Sequence, residues 1–304
     1  MLTVLAGGTG SAKLVRGLTH VVSEDLTVIV NVGDNISLHG LYICPDIDTI
    51  LYALSGLLDT SRGWGVKDDT FHFLEQASRY GVEDWFRLGD KDLALHIART
   101  KLLKTGLTLT EVTKILGEKM KISHRVLPAS DQHIETRIKT PKGELHLQEF
   151  WVKLKGEPEV LGVTYQGPEH PQPAPGVVEA IRDARNIVIC PANPVTSIAP
   201  ITHISGIRDA LASVRERVVA VSPVLGGRPV SGPAGKLLRS IGVEVSPIGV
   251  TELYSGFIGK MIIDESDEVM VDGIGRLGVE ALTTDILMED KKGEQRLAEF
   301  VANV

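Results

Sequence analysis

Short apolar runs alternate with helix-spaced apolar positions at both ends of this 304-residue chain, and a polar, helical stretch separates them. Residues 2–6 form an apolar run closed by Gly7-Gly8-Thr9-Gly10. Leu14, Val15, Leu18, Val21 and Val22 then recur at helical spacing, with Ser11 placed to cap the helix. Residues 26–32 are a second apolar run, rich in β-branched side chains and ending at Gly33-Asp34-Asn35. Strand, glycine turn, helix and strand make a βαβ unit, and two such apolar strands predict a parallel sheet. A helix is predicted over 46–58 behind Pro45. From 60 to 121 the pattern predicts helices over 68–80, 92–102 and 108–119 and no good strand. Residues 136–140 and 144–152 flank Pro141-Lys142-Gly143, a hairpin signal. Prolines 168, 171, 173 and 175 mark 167–176 as a loop. Beyond it the alternation returns, with strands predicted at 187–190, 217–221, 243–246, 260–263 and 279–282. Helices are predicted at 177–184, 204–214, 234–241, 251–257 and from 291 onward. The reading is α/β: a doubly wound, Rossmann-like, mainly parallel sheet in a single domain. Its core spans about 1–59 and 175–304, and a mostly helical insert with a small hairpin spans about 60–174.

Composition narrows the function classes. Lys plus Arg number 32 against 39 Asp plus Glu, a net charge of −7, which argues against a nucleic-acid-coating surface. No apolar run approaches the ~18 residues of a membrane span. The first residues read as a strand and lack the basic and long apolar regions of a signal peptide. Cys44 and Cys190 each precede a proline and read as small buried thiols, which suits a reducing, cytoplasmic setting. Glycine is abundant, at 31 residues.

Much of the candidate chemistry falls at predicted strand ends. In Gly7-Gly8-Thr9-Gly10-Ser11-Ala12-Lys13, backbone N–H groups and a helix N-terminus can face an anion. Neither named motif fits: Ala12 and Leu14 break a Walker A loop, and Lys13 replaces the third glycine of a dinucleotide fingerprint. Asp34 and Asn35 stand at the end of the second strand, where open parallel sheets hold ligands. Asp46 and Asp48 stand in the first turn of a predicted helix, whose dipole favours carboxylates. Trp85-Phe86-Arg87 offers an aromatic pair and a cation in a predicted loop, and the aromatics concentrated between Tyr42 and Phe86 are read mostly as core of the insert. Cys190-Pro191-Ala192-Asn193-Pro194 and Ser222 through Gly226-Gly227 each follow an apolar strand and form a loop rim suited to a base or sugar. No GxSxG elbow occurs, and the 9 histidines show no zinc-ligand spacing.

Six ordered motifs carry a resemblance over nearly the whole chain: GGTG, NVGDN, PDIDT, LGDKDLALHIART, PANPVTSIAPI and SPVLGGRPVSGPAGK. Together they resemble the 2-phospho-L-lactate transferase family of deazaflavin coenzyme F420 biosynthesis. The resemblance implies a Mg2+-dependent transfer of the 2-phospholactyl group from lactyl-2-diphospho-5′-guanosine to the deazaflavin FO, giving F420-0 and GMP. It implies that Asp48 and Arg87 contact FO, and that the protein is a cytoplasmic homodimer acting on small molecules, without nucleic acid or membrane. Beside it stand the residue readings. Asp48 orients or deprotonates the attacking hydroxyl, with Asp46 as second catalytic carboxylate and Mg2+ ligand. Gly8, Thr9, Gly10, Ser11, Lys13, Asp34, Asn193, Ser222, Gly226 and Gly227 face the nucleotide and its phosphates. Ala192 stands where the family's common PSNP motif has a serine. The competing reading is a YvcK-like nucleotide-sugar-binding regulatory protein without transferase activity. An NAD(P)-dependent oxidoreductase is disfavoured by the broken fingerprint at Lys13.

Overall fold

The structure is a computed structural model that describes residues 1–22, 26–230 and 232–304. Seven strands form one parallel sheet: β1 (Leu2–Ala6), β2 (Leu26–Val30), β3 (Arg125–Pro128), β4 (Asn186–Ile189), β5 (Val218–Val221), β6 (Lys260–Asp264) and β7 (Glu280–Thr284). Their spatial order is β7-β6-β5-β4-β1-β2-β3. Every residue of β1, β2 and β5 is buried, as expected of strands covered on both faces. Val4 of β1 pairs with Val28 of β2 on one side and Val188 of β4 on the other, so the chain reverses its winding direction at β1. In such a sheet the crevice beyond the carboxyl ends of β1 and β4 is where ligands bind. The α/β class and the parallel sheet are therefore as expected.

Helix α1 (Gly8–Val21) follows β1 directly. Its first turn is built around glycine. Gly8 has φ +71°, a left-handed conformation. A Cβ on Gly10 would lie 2.4 Å from the Pro191 carbonyl oxygen, so the loop after β4 can close on α1 only at a glycine. Ser11 does not cap α1; Gly7 is the N-cap, and the buried Ser11 hydroxyl donates to the Gly7 carbonyl at 2.8 Å and accepts from the Gly7 N–H at 2.9 Å. Along α1, Gly17 lets the last helix (Lys291–Ala302) approach, and Arg16 pairs with the buried Glu294 of that helix.

Helix α2 (Pro45–Leu54), α3 (His72–Ser78), α4 (Asp90–Lys104) and α5 (Leu109–Lys119) precede β3. The range 60–174 assigned to an insert is corrected at this point. β3 lies inside it and is hydrogen-bonded to β2 as an edge of the main sheet. It ends in Pro128, which an edge strand tolerates. Glu135–Thr140 and Gly143–His146 make the expected hairpin, and Gly162–Gln166 adds an unexpected third strand on its other side. The second hairpin strand stops at His146, and Glu149–Lys153 is a π-helical turn. No strand forms at 243–246. Ser246 instead caps the helix Pro247–Tyr254 by accepting from the Gly249 N–H, so those residues belong to a helix entry.

Candidate active site

One cavity of about 980 Å³ opens at the carboxyl ends of β1, β2, β4 and β5. It is lined by Gly8, Thr9, Gly10 and Lys13 of α1, by Asp34 beyond β2, and by Asp46 and Asp48 of α2. Arg87, Asn193 and Ser222 complete the set of sequence-derived candidates that it gathers. Ser11, Gly226 and Gly227 are not on its wall. The Ser11 hydroxyl is turned back to Gly7, and the Gly226 N–H donates to the carboxylate of Asp267 at 3.0 and 3.1 Å.

The α1 end of the cavity is an acidic pair beside a backbone turn. Asp46 accepts from the Gly8 N–H at 2.7 Å and from Asn31 Nδ2 at 2.9 Å. The same Asn31 amide donates to Asp34 Oδ1 at 2.8 Å and to the Thr196 carbonyl at 3.1 Å. Burial raises the Asp46 carboxyl to about 6 against the hydrogen bonds from Asn31 and Gly8. Burial, and then the charge of Asp46, lift Asp34 well above the usual carboxylate range. Two carboxylates share one neutral amide there, with no cationic side chain among the described residues bonded to either. Lys13 is spent on structure: its Nζ donates to the Met288 carbonyl at 2.8 Å. Asn193 Oδ1 accepts from the Val195 N–H at 3.0 Å, and the Ser222 hydroxyl donates to the Val224 carbonyl at 2.8 Å, so both side chains shape the rim loops.

The other end has the opposite electrostatics. Asp48, two residues along α2, is buried and gripped by both terminal nitrogens of Arg99, Nη1 lying 3.0 Å from Oδ2. Arg99 is completely buried; burial opposes its charge, but Asp48 overrides that and holds the guanidinium above its ordinary value. Asp92, His96 and Arg99 recur at i, i+4 and i+7 on α4, so one face of that helix carries the network. His96 Nδ1 is 3.5 Å from Asp48 Oδ2, and its Nε2 is 3.1 Å from Asp92 Oδ1. Tyr52 of α2 donates to Asp92 Oδ1 at 2.6 Å. Despite burial, His96, Tyr52 and Arg99 hold the Asp92 carboxyl below its usual value.

All three tryptophans, Trp64, Trp85 and Trp151, line this cavity, together with Phe86. The expectation that the aromatics from Tyr42 to Phe86 are mostly the insert's own core is thus overturned: these rings face the cavity, while Phe73 and Tyr80 are 56% and 80% exposed. Trp85 and Phe86 meet edge to face with centroids 5.7 Å apart, and Arg87 lies 4.3 Å over the Phe71 ring. Sequence reasoning missed Trp151, Tyr52, Asp92, His96 and Arg99 as site residues. The signal for the last three was a polar stripe at helical spacing within the stretch 89–100.

Known proteins bear on this arrangement. The family model described as 2-phospho-L-lactate transferase CofD matches residues 2–294. The chain is 41% identical over 304 residues to a 2-phospho-L-lactate transferase of Methanosarcina barkeri, covering 100% of this chain and 98% of the other. It is 43% identical to a Methanopyrus kandleri protein of the same name, covering 100% and 97%. A Streptomyces coelicolor phosphoenolpyruvate transferase is 40% identical, covering 98% and 95%. Among solved structures, a Bacillus halodurans protein superposes with a TM-score of 0.67 at 21% identity, covering 99% of this chain and 98% of that one, a likeness of fold. With a match from the first strand to the last helix, and relatives alike over their full lengths, the chain belongs to the 2-phospho-L-lactate transferase CofD family.

Proposed function

We propose that this protein transfers the 2-phospholactyl group from lactyl-2-diphospho-5′-guanosine to the terminal ribityl hydroxyl of FO, releasing GMP and F420-0. The observation that supports it best is the division of one cavity into two chemically different ends. At the α1 end, the backbone turn at Gly8–Gly10, the helix N-terminus and two carboxylates suit a diphosphate with a divalent cation. The tryptophans on the cavity wall suit a flat ring system, and at the α4 end a clamped carboxylate suits a hydroxyl.

Asp34 and Asp46 fit Mg2+: the ion takes one or two carboxylates and fills its other positions with water and substrate phosphates. Burial raises both carboxyls, and the charge of Asp46 adds to it at Asp34, so a cation there would relieve an unfavourable concentration of negative charge. When bound, Mg2+ neutralises charge on the diphosphate and its leaving group. Asp48, locked by Arg99, orients the attacking hydroxyl toward the phosphorus, and the transfer depends on that alignment. Arg87 and the tryptophans hold the deazaflavin.

The test is incubation with FO, Mg2+ and the guanosine donor, followed by mass analysis. Equimolar GMP and F420-0 are expected. Relatives named for 2-phospho-L-lactate and for phosphoenolpyruvate match this chain about equally, so the assay runs both donors. Tight binding of a UDP-sugar without turnover would favour the regulatory reading. The proposed homodimer is checked by light scattering of the same sample.

A further inference from the structure

The transfer proposed above releases a proton, and its destination is a separate question. The O–H bond of the acceptor alcohol breaks, its oxygen bonds to phosphorus, the phosphoanhydride bond to GMP breaks, and GMP leaves as an anion that needs no proton. Asp48 is a poor final home for that proton. Both its oxygens already accept from Arg99, so a proton there would have to displace one of those bonds.

His96 is differently placed. Its side chain is 1% exposed, yet it lines the cavity. Arg99 Nη1 lies 3.2 Å from His96 Nδ1. A guanidinium is only a donor, so Nδ1 must offer its lone pair and the ring proton sits on Nε2, toward Asp92 Oδ1 at 3.1 Å. Nε2 has no aligned hydrogen-bond partner in this state. The one basic nitrogen of the ring thus stands 3.5 Å from the outer oxygen of Asp48, with a carboxylate behind the ring. The charged and titratable groups facing it are Asp48 and Tyr52 from α2, Asp92 and Arg99 from its own helix, and, next to Arg99, Tyr42 and Cys44. Burial raises the tyrosine hydroxyls and the thiol, so they stay neutral. Asp92 is held below its usual range and Arg99 above its own, so the cluster sets two carboxyl groups against one guanidinium and has room for one further proton.

We propose that His96 is a positioning residue that stores the proton of the attacking hydroxyl: it settles on Nδ1, while Asp48 stays in the grip of Arg99 throughout the step. The imidazolium then lies between two carboxylates, and Asp92, steadied by the Tyr52 hydroxyl, stabilises it. After GMP leaves, the proton returns to solvent through the open cavity. This rests on the phospholactyl-transfer reading.

The experiment is the pH profile of kcat for wild type, His96→Gln and Asp92→Asn. Mg2+ is kept saturating throughout, because burial raises the Asp34 and Asp46 carboxyls and their protonation would also slow the reaction in acid. The Gln amide oxygen still accepts from Arg99 but has no titratable nitrogen. In wild type kcat falls on the acid side as Nδ1 becomes occupied. His96→Gln is expected to lower kcat by about 10²-fold and to lose that acid limb, with the FO KM little changed. Asp92→Asn removes the charge that favours the imidazolium, so the limb moves to lower pH by about one unit. An acid limb that survives unchanged in His96→Gln overturns the inference, and so does a limb that stays in place in Asp92→Asn. A wild-type protein that forms neither F420-0 from the lactyl donor nor its enolpyruvyl counterpart from the enolpyruvyl donor overturns the transfer reading first, and this inference with it.

Discussion

Asp46 and Asp48 stand two residues apart on α2, yet they inhabit opposite environments. Asp46 has only neutral partners, a backbone N–H and an asparagine amide, and faces a second carboxylate through that amide. Asp48 has a fully buried guanidinium of its own. The first arrangement leaves negative charge uncompensated and awaits a cation. The second is already neutral as a pair and offers only direction. Because successive helix residues point about 100° apart, one short motif serves both ends of the cavity. Under the proposed transfer, the contrast lets an acidic chain accept a diphosphate: backbone donors and a cation at Asp34 and Asp46 would meet the anion, with no need for a basic surface.

The contrast can be broken most forcefully at Arg99. Arg99→Leu leaves Asp48 buried without its partner, so urea unfolding should show a loss of about 3–5 kcal/mol. A loss near zero would mean that Asp48 is solvated and the fork unimportant. At the other end, Gly10→Ala drives a methyl against the Pro191 carbonyl and should cost about 1–3 kcal/mol, weakening donor binding more than FO binding. Unchanged donor KM would remove the α1 turn from the site. A smaller effect sharpens the acidic end. The folded-state carboxyl of Asp46 is raised from 3.8 to about 6, so the folded protein binds more protons than the unfolded chain between those values. Without divalent cations, the contribution of Asp46 to stability therefore falls as pH rises through that window. Mg2+ should raise the melting temperature more near neutral pH than at about pH 5, and Asp46→Asn should flatten both trends. The smallest effect is optical: FO should quench tryptophan fluorescence, while GMP alone should leave it nearly unchanged, since Trp64, Trp85 and Trp151 all line the cavity.

The middle of the sheet was legible because β1, β2, β4 and β5 are largely apolar runs of four or five residues, bounded by glycine, proline or polar turns. β3 escaped because it is an edge strand that begins with an exposed arginine and ends in a proline, so neither alternation nor a full apolar run marks it. The strand expected at 243–246 failed for the converse reason: its apolar residues precede a serine cap, and the helix entry claims them. Within the site, the α1 turn and the α2 acids announced themselves as motifs. The Asp92–His96–Arg99 stripe did not, because a polar face on a helix ordinarily means solvent, whereas the packing of α4 against the short strand Leu41–Ile43 and the contact with Asp48 bury it. Trp151 joins the cavity from a π-helical turn that sequence periodicity does not describe.

The division of labour between the two α2 carboxylates is tested most directly by a Mg2+ titration of the initial transfer rate in wild type, Asp46→Asn and Asp48→Asn. The account predicts that Asp46→Asn moves the half-saturating Mg2+ concentration upward and leaves the FO KM in place. Asp48→Asn should keep the wild-type Mg2+ midpoint while kcat falls by about 10²-fold through lost alignment. Equal shifts of the Mg2+ midpoint in both variants would contradict it, because the two carboxylates would then serve one site.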